Sequence, residues 1–187
     1  RCVFSFHTMN IYCMRHGRTN YNDLCLCNDD PAQDVHLTDV GIKQAQSAAL
    51  ALRDIEFERM IVSPLPRTYQ TAEIVNQYHS IPIEVHADLA DIRSGFDGKP
   101  VSDYFAAISH DPLRARVNGG ESLLDHKQRV LRFIDWLKVQ KDKALLVVAH
   151  EETLRVLIAH FEGGVADAQL RDIHVGNCEY RHYVLHR

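Results

Sequence analysis

Arginine and histidine residues follow three of the chain's short apolar segments at the points where those segments end. Arg15 and His16 come after the first segment, Arg67 lies just beyond the second, and His150 directly follows the fourth. In a doubly wound sheet, ligands bind outside the carboxyl ends of parallel strands. We therefore expect these four side chains to meet at one edge of such a sheet.

Two arginines and two histidines gathered over helix N-termini would form a site for a small, highly charged anion. The planar guanidinium donates paired hydrogen bonds that match phosphate oxygens, which favours phosphate over a carboxylate. A neutral imidazole is a competent nucleophile, and neighbouring guanidinium groups discourage its protonation. A carboxylic acid is still needed to protonate a departing alkoxide. Asp91 lies in a loop-like segment that could supply it.

The elements that would position these side chains alternate along the chain. Strands are predicted at residues 11–14, 59–62, 81–85, 144–149 and 180–185; the fourth is apolar throughout, as expected for a central strand. Thr38 and Ser122 stand at capping positions before helical patterns, and a third pattern covers 153–161. This order predicts an α/β fold, a three-layer α/β/α sandwich with a mostly parallel central sheet. Residues 23–34 and 97–118 are predicted to be long loops.

Composition limits the class of protein. The chain has 187 residues, 45% of them hydrophobic, and a formal net charge of −4. These values exclude a disordered chain and disfavour nonspecific nucleic-acid binding. No apolar run reaches the roughly 20 residues that span a bilayer, so no membrane association is expected. Residues 9–187 are predicted to form one domain, and residues 1–8 a non-native or disordered extension.

The five cysteines are odd in number and scattered, which indicates free thiols and a cytoplasmic location. Cys25 and Cys27 form a lone pair without a second Cys/His pair at zinc spacing, so no metal is expected there. A metal centre at His16, His150 and Asp91 is also disfavoured, because the adjacent arginines would repel a cation. The oligomeric state is left open.

Five motifs occur in order along the chain. They are Arg-His-Gly-Arg-Thr-Asn-Tyr-Asn at 15–22, Leu-Thr-Asp-Val-Gly at 37–41, Ser-Pro-Leu-Pro-Arg-Thr-Tyr-Gln-Thr-Ala at 63–72, Gly-Gly-Glu-Ser at 119–122 and Val-Ala-His at 148–150. Together they resemble the motifs of the histidine phosphatase superfamily, in its phosphoglycerate-mutase-like branch. The resemblance extends from about residue 9 to the C-terminus and implies a phosphoglycerate-mutase-like fold.

The resemblance also implies roles for individual residues. His16 would be the phosphorylated nucleophile, and Arg15, Arg67 and His150 would complete the phosphate pocket. Asn22 would be a further donor on the phosphate side. The family needs no metal, and its phosphatase members need no organic cofactor.

Three departures from the family pattern leave alternatives open. Asp91 stands where the family's proton donor is usually glutamate, and the segment after Gly95 is one residue short, so Asp97 remains an alternative acid. Glu151 and Glu152 replace the usual pair of glycines and bring carboxylates close to an anion site. The stretch 23–35 lacks the arginine and the Gln-Gly pair that are common in the family.

The function predicted from these features is a metal-independent phosphomonoester hydrolase that acts through a phosphohistidine intermediate on a small phosphorylated metabolite. Two alternatives are a cofactor-dependent phosphoglycerate mutase and a weakly active phospho-ligand-binding regulator. The expected partner is a small phosphorylated substrate or inorganic phosphate. The identity of the substrate is not predicted, because the segments that would line the rim match the family least.

Overall fold

A single sheet organises the computed structural model, which describes residues 7–187. Within that range the strands are β1 (Thr8–Arg15), β2 (Arg59–Val62), β3 (Ile83–Val85), β4 (Ala144–Ala149) and β5 (Tyr180–His186). Their spatial order is β3-β2-β4-β1-β5, and β5 alone of these strands runs antiparallel to its neighbour. The predicted mostly parallel sheet is confirmed.

The N-terminal boundary differs slightly from the expectation. β1 begins at Thr8, where the backbone pairs with His186 of β5. Thr8 therefore belongs to the sheet and not to the extension predicted for residues 1–8. Residues 1–6 of that prediction lie outside the described residues.

The α-helices of the described residues alternate with the strands. They are α1 (Asn20–Leu24), α2 (Asp39–Leu52), α3 (Pro66–Asn76), α4 (Val101–Ile108), α5 (Leu123–Lys138) and α6 (Glu151–Glu162). Thr38 caps α2 by accepting the Gly41 N–H, and Ser122 caps α5 with Asp125 in a reciprocal capping box, as the sequence predicts.

The prediction of one long loop over 97–118 is wrong, because α4 occupies part of it. Its buried positions, Tyr104 and Ile108, recur at four-residue spacing. The pattern spans only eight residues, too short to stand out from irregular chain.

Two hydrophobic clusters lie on opposite faces of the sheet. On one face Ala45 and Leu52 of α2 pack with Val75 of α3. On the other, Phe133 of α5 packs with Leu157 of α6. Every residue of β4 is buried, as expected for a central strand covered on both sides. The three-layer α/β/α sandwich is thus confirmed.

The parallel register aligns the C-terminal ends of β1, β2 and β4. Arg15 is opposite Ala149, and Val62 is opposite Val148, so the residues following β1, β2 and β4 emerge at one edge. None of the helices between residues 7 and 187 is both apolar enough and long enough to cross a bilayer.

Candidate active site

A cavity of about 240 Å³ opens at this edge of the sheet. Drug-sized ligands occupy pockets of about 300–1,000 Å³, so this one suits a small molecule. Its lining includes every residue that the sequence analysis placed in the site: Arg15, His16, Asn22, Arg67, Asp91 and His150. The alternative acid Asp97 is not among the lining residues.

His16 presents one nitrogen of its ring to the cavity as an acceptor. Its Nδ1 lies 2.7 Å from the carbonyl oxygen of Gly17, which can only accept, so the proton resides on Nδ1 and Nε2 carries a lone pair. Arg67 Nε donates to that Nε2 over 3.3 Å. Burial, together with the adjacent Arg67, lowers the pKa of His16 well below its ordinary value. The imidazole is therefore neutral and nucleophilic.

Arg67 is the second residue of α3, where a positive charge opposes the helix dipole. The side chain is nevertheless 4% exposed, and it donates to Asn28 through Nη1 and Nη2. Its Nη2 also lies 3.3 Å from Asp91 Oδ2. This buried guanidinium, in contact with the imidazole of His16 and with a carboxylate, can donate hydrogen bonds to an anion bound in the cavity.

His150 directly follows β4 and is buried against Ser63. Its Nε2 lies 2.7 Å from Ser63 Oγ, an oxygen that already accepts the backbone N–H of Leu65. Nδ1 has no hydrogen-bond partner among the described residues and lies 3.8 Å from Asp91 Oδ2. Burial and the charge of Arg67 lower the pKa of His150 well below its ordinary value. Ser63 stands in the motif at 63–72, but no sequence pattern predicted its contact with His150.

Arg15, at the end of β1, is held from two sides. Its Nη1 donates to the carbonyl oxygen of Val175 over 2.6 Å and lies 3.3 Å from Glu151 Oε2. Glu151 and Glu152 both line the cavity, as predicted from their position after His150. Arg155 was not predicted as a site residue, although it stands at helical spacing from both glutamates and pairs with each over 3.3 Å.

Asp91 sits on the cavity wall in the segment after β3. Burial raises the pKa of this carboxyl group, and Arg67 offsets part of that shift. A raised pKa favours the protonated form that a general acid needs. Asn22, which also lines the cavity, uses its side-chain oxygen to accept the Thr19 N–H at the start of α1.

Arg129 and Glu121 hold the Asp91 segment in place. Arg129 donates to the carbonyl oxygens of Asp88, Ala90 and Asp91. Glu121 pairs with Arg129 and accepts the backbone N–H of Arg93. Glu121 belongs to the Gly-Gly-Glu-Ser motif at 119–122 but was not predicted as a site residue, and no spacing signal marked Arg129.

Asp97 has a different function in the fold. Its Oδ1 accepts the backbone N–H groups of Asp29 and Asp30 and the side-chain amide of Asn28. These bonds hold the loop whose Asn28 contacts Arg67. Asp91 therefore lines the cavity, whereas Asp97 supports a neighbouring loop.

This combination of a doubly wound sheet with a buried arginine, Arg67, a partly buried arginine, Arg15, and two buried histidines defines a phosphate-handling enzyme. The family model described as the histidine phosphatase superfamily, branch 1, matches residues 11–187. The chain belongs to this superfamily and is a phosphoric monoester hydrolase.

Relatives carry related names. The chain is 30% identical over 170 residues to adenosylcobalamin/alpha-ribazole phosphatase from Escherichia coli, covering 86% of this chain and 82% of that protein. It is 27% identical over 163 residues to the uncharacterized phosphatase PhoE of Bacillus subtilis, with coverages of 86% and 82%. Among solved structures, the alpha-ribazole phosphatase from Shigella flexneri superimposes with a TM-score of 0.84 at 26% identity, covering 96% of this chain and 95% of that one.

Proposed function

We propose that this site hydrolyses a small phosphomonoester without a metal ion, through a phosphohistidine formed at His16. The observation that carries the proposal is the Nδ1–Gly17 hydrogen bond, which leaves the Nε2 lone pair of His16 facing the cavity beside Arg67 and Asp91. Phosphoryl transfer requires mainly positioning and charge stabilisation, and these residues supply both.

In the first step, His16 Nε2 attacks phosphorus while the phosphate oxygens are held by Arg15, Arg67 and His150, with Asn22 as a further donor. The bond between phosphorus and the ester oxygen breaks, and Asp91 gives its proton to that oxygen. The free alcohol leaves, and His16 carries the phosphoryl group. The Arg67 Nε–H, which donates to Nε2 in the free enzyme, is then available to a phosphate oxygen.

In the second step, the Asp91 carboxylate accepts a proton from water as the water oxygen attacks phosphorus. The nitrogen–phosphorus bond breaks, and inorganic phosphate and neutral His16 are released. Asp91 thereby returns to its protonated form. Proton transfer by such a group is worth about 10²–10⁴-fold in rate.

His150 requires a defined tautomer for its part in this scheme. Because Ser63 Oγ accepts the Leu65 N–H, its own proton is free to be donated to His150 Nε2. The remaining ring proton then lies on Nδ1, on the side of Asp91, where it can be donated to a phosphate oxygen. Ser63 is thus a positioning residue that acts through His150.

The proposal also covers the cellular location and the type of substrate. The four cysteines within the described residues are free thiols, which supports a cytoplasmic location. The Escherichia coli relative named for alpha-ribazole makes nucleoside-type phosphomonoesters reasonable first substrates.

Hydrolysis of p-nitrophenyl phosphate tests the proposal. We expect turnover that EDTA leaves unchanged, that vanadate inhibits, and that His16→Ala abolishes. A phosphoenzyme that is labile in acid and stable in base would indicate phosphohistidine. A phosphoenzyme that is stable in acid would contradict it. His110→Ala, which alters an exposed histidine, is the matched control.

Three other results would overturn the proposal. Turnover retained in His16→Ala would exclude this nucleophile. Bisphosphate-primed conversion of 3- to 2-phosphoglycerate in place of hydrolysis would identify a mutase. Phosphate binding without turnover on any phosphoester would identify a regulator.

A further inference from the structure

Outside the phosphate-binding residues, the lining of the cavity carries more carboxylates than cations. Arg15 and Arg67 flank His16, and one more lining arginine, Arg155, stands on α6. Two further lining carboxylates, Glu151 and Glu152, begin that helix. A second anionic group on a substrate would therefore meet two carboxylates as well as one cation.

Arg155 is not free to bind such a group. Its Nη2 lies 3.3 Å from Glu151 Oε1, and its Nη1 lies 3.3 Å from Glu152 Oε1. The third nitrogen, Nε, donates to the carbonyl oxygen of Ile173 over 2.7 Å. Every nitrogen of the guanidinium already has a partner, so its charge is committed to the two glutamates.

Glu152 retains an unused acceptor. Its Oε1 accepts from Arg171 Nε over 3.0 Å, whereas its Oε2 is withdrawn from solvent and has no hydrogen-bond partner among the described residues. A buried acceptor without a donor is costly, and a ligand that supplies the donor removes that cost. Because Oε2 is closed off from solvent, a hydroxyl or N–H group of the substrate satisfies it once the Glu152 carboxylate turns towards the cavity.

An aromatic surface adjoins this carboxylate. Arg171 lies over the rings of Tyr104 and Phe105, 5.5 and 5.1 Å from their centroids, and donates to the Tyr104 hydroxyl over 2.8 Å. Tyr104 and Phe105 both line the cavity. The wall therefore offers apolar ring surface next to a hydrogen-bond acceptor.

We propose that Glu151 and Glu152 select phosphomonoesters whose leaving group has no second anionic charge and carries hydroxyl or N–H donors. This inference rests on the function proposed for the same cavity and names its substrate class. Sugar- or nucleoside-type monophosphates fit it. Phosphorylated carboxylic acids and bisphosphates do not, because the arginines beside Glu151 and Glu152 are already paired with these carboxylates, and a second anionic group would compete with them for the same cations.

A matched pair of substrates tests the selection. Glycerol 3-phosphate and 3-phosphoglycerate share a carbon skeleton and differ in a hydroxymethyl group against a carboxylate. We expect kcat/KM to be higher for glycerol 3-phosphate by about tenfold or more. Glu152→Gln keeps the Oε1 acceptor for Arg171 but removes the charge, and it should reduce the ratio by about fivefold. Glu151→Gln should reduce it in the same direction.

Glu162→Gln is the control, because Glu162 ends the same helix, is exposed and does not line the cavity. It should leave the ratio unchanged. A wild-type preference for 3-phosphoglycerate, or a ratio that neither glutamine variant changes, would overturn the selection.

Failure of the selection and failure of the proposed function are separable. Calorimetric binding of the two esters to the His16→Ala protein measures the same preference without turnover. Turnover of p-nitrophenyl phosphate reports on hydrolysis alone. If the protein hydrolyses p-nitrophenyl phosphate but binds both esters equally, the proposed function stands and the proposed selection by Glu151 and Glu152 is wrong.

Discussion

Arg67 and His16 form a direct contact between a guanidinium and an uncharged imidazole, with Nε and Nε2 3.3 Å apart. The contact is possible because His16 donates its only ring proton to Gly17 and turns a lone pair towards Arg67. A protonated His16 would place two cations in contact in a buried site. The same pair thus keeps the imidazole of His16 neutral and holds a cation at the cavity, where the proposed mechanism places the phosphate oxygens.

Removing this charge should raise the pKa of His16. Burial remains in Arg67→Gln, so we expect a rise towards, but not up to, the ordinary histidine value of about 6.5. In the wild type, His16 should be mostly neutral at pH 6.5, where an ordinary histidine is half-protonated. Imidazole nitrogen shifts measured by NMR against pH check this. Arg59→Gln, at the opposite end of β2, should leave the titration unchanged. A wild-type His16 that is half-protonated near pH 6.5 would contradict the prediction.

Asp91→Asn should lose activity according to the leaving group. An alkyl phosphate needs a proton on the departing oxygen, so its kcat should fall by about 10²–10⁴-fold, whereas p-nitrophenyl phosphate should lose far less. Asp97→Asn should affect both substrates similarly, because Asp97 supports the loop of residues 28–30. Single-turnover rates on the two substrates measure the difference. The opposite pattern would assign the acid to Asp97.

Ser63→Ala should lower kcat by about tenfold with little change in KM, because the His150 tautomer with a proton on Nδ1 is then no longer favoured. Ser63→Thr, which keeps the hydroxyl, should restore part of the rate. The shift of the pH–rate profile separates this effect from a general loss of folding. If alanine and threonine give equal kcat values, the hydroxyl has no such role.

Most of the scaffold could be predicted from the sequence because its signals are local. β4 is apolar at six successive positions, and the caps at Thr38 and Ser122 depend on residues within one turn. Strand-end placement then predicted that Arg15, His16, Arg67 and His150 lie together, and all four line the cavity.

What could not be predicted depends on contacts between distant segments. Arg129 reaches Asp88 over 41 positions, and Ser63 reaches His150 over 87. The pairing of Arg155 with both glutamates has helical spacing, but its presence in the cavity depends on how α6 docks on the sheet. The short helix α4 lacked the length that makes a periodic pattern distinct.

Glu121 should stabilise the fold in a pH-dependent manner. Burial alone would raise its pKa, but hydrogen bonds from His126 and Arg129 outweigh burial and lower the pKa to about 2. A carboxylate with a depressed folded-state pKa stabilises the protein above its unfolded pKa of about 4.3 and loses that contribution as the pH falls towards 2. The shift corresponds to about 3 kcal/mol at pH 7.

Glu121→Gln should therefore lower the free energy of unfolding at pH 7, and the difference from the wild type should shrink below pH 4. Urea unfolding at several pH values measures it. Glu56→Gln, at an exposed carboxylate after α2, should show no such trend. A difference that stays constant from pH 7 to pH 3 would assign the stabilisation to something other than the ionised carboxylate.

Gly41→Ala should destabilise the protein although alanine is the better helix former by about 1 kcal/mol. A Cβ at this position in α2 would lie 2.1 Å from the backbone oxygen of Arg18, two residues after His16. Overpacking of this kind costs about 1–3 kcal/mol, and here the clash is with main chain that cannot rotate away. We expect a lower Tm and a reduced kcat, because the segment that orients His16 must shift. Ser47→Ala, on the exposed side of the same helix, should be neutral or slightly stabilising. If kcat is unchanged in a destabilised Gly41→Ala protein, then α2 moves to relieve the clash and the backbone around His16 keeps its position.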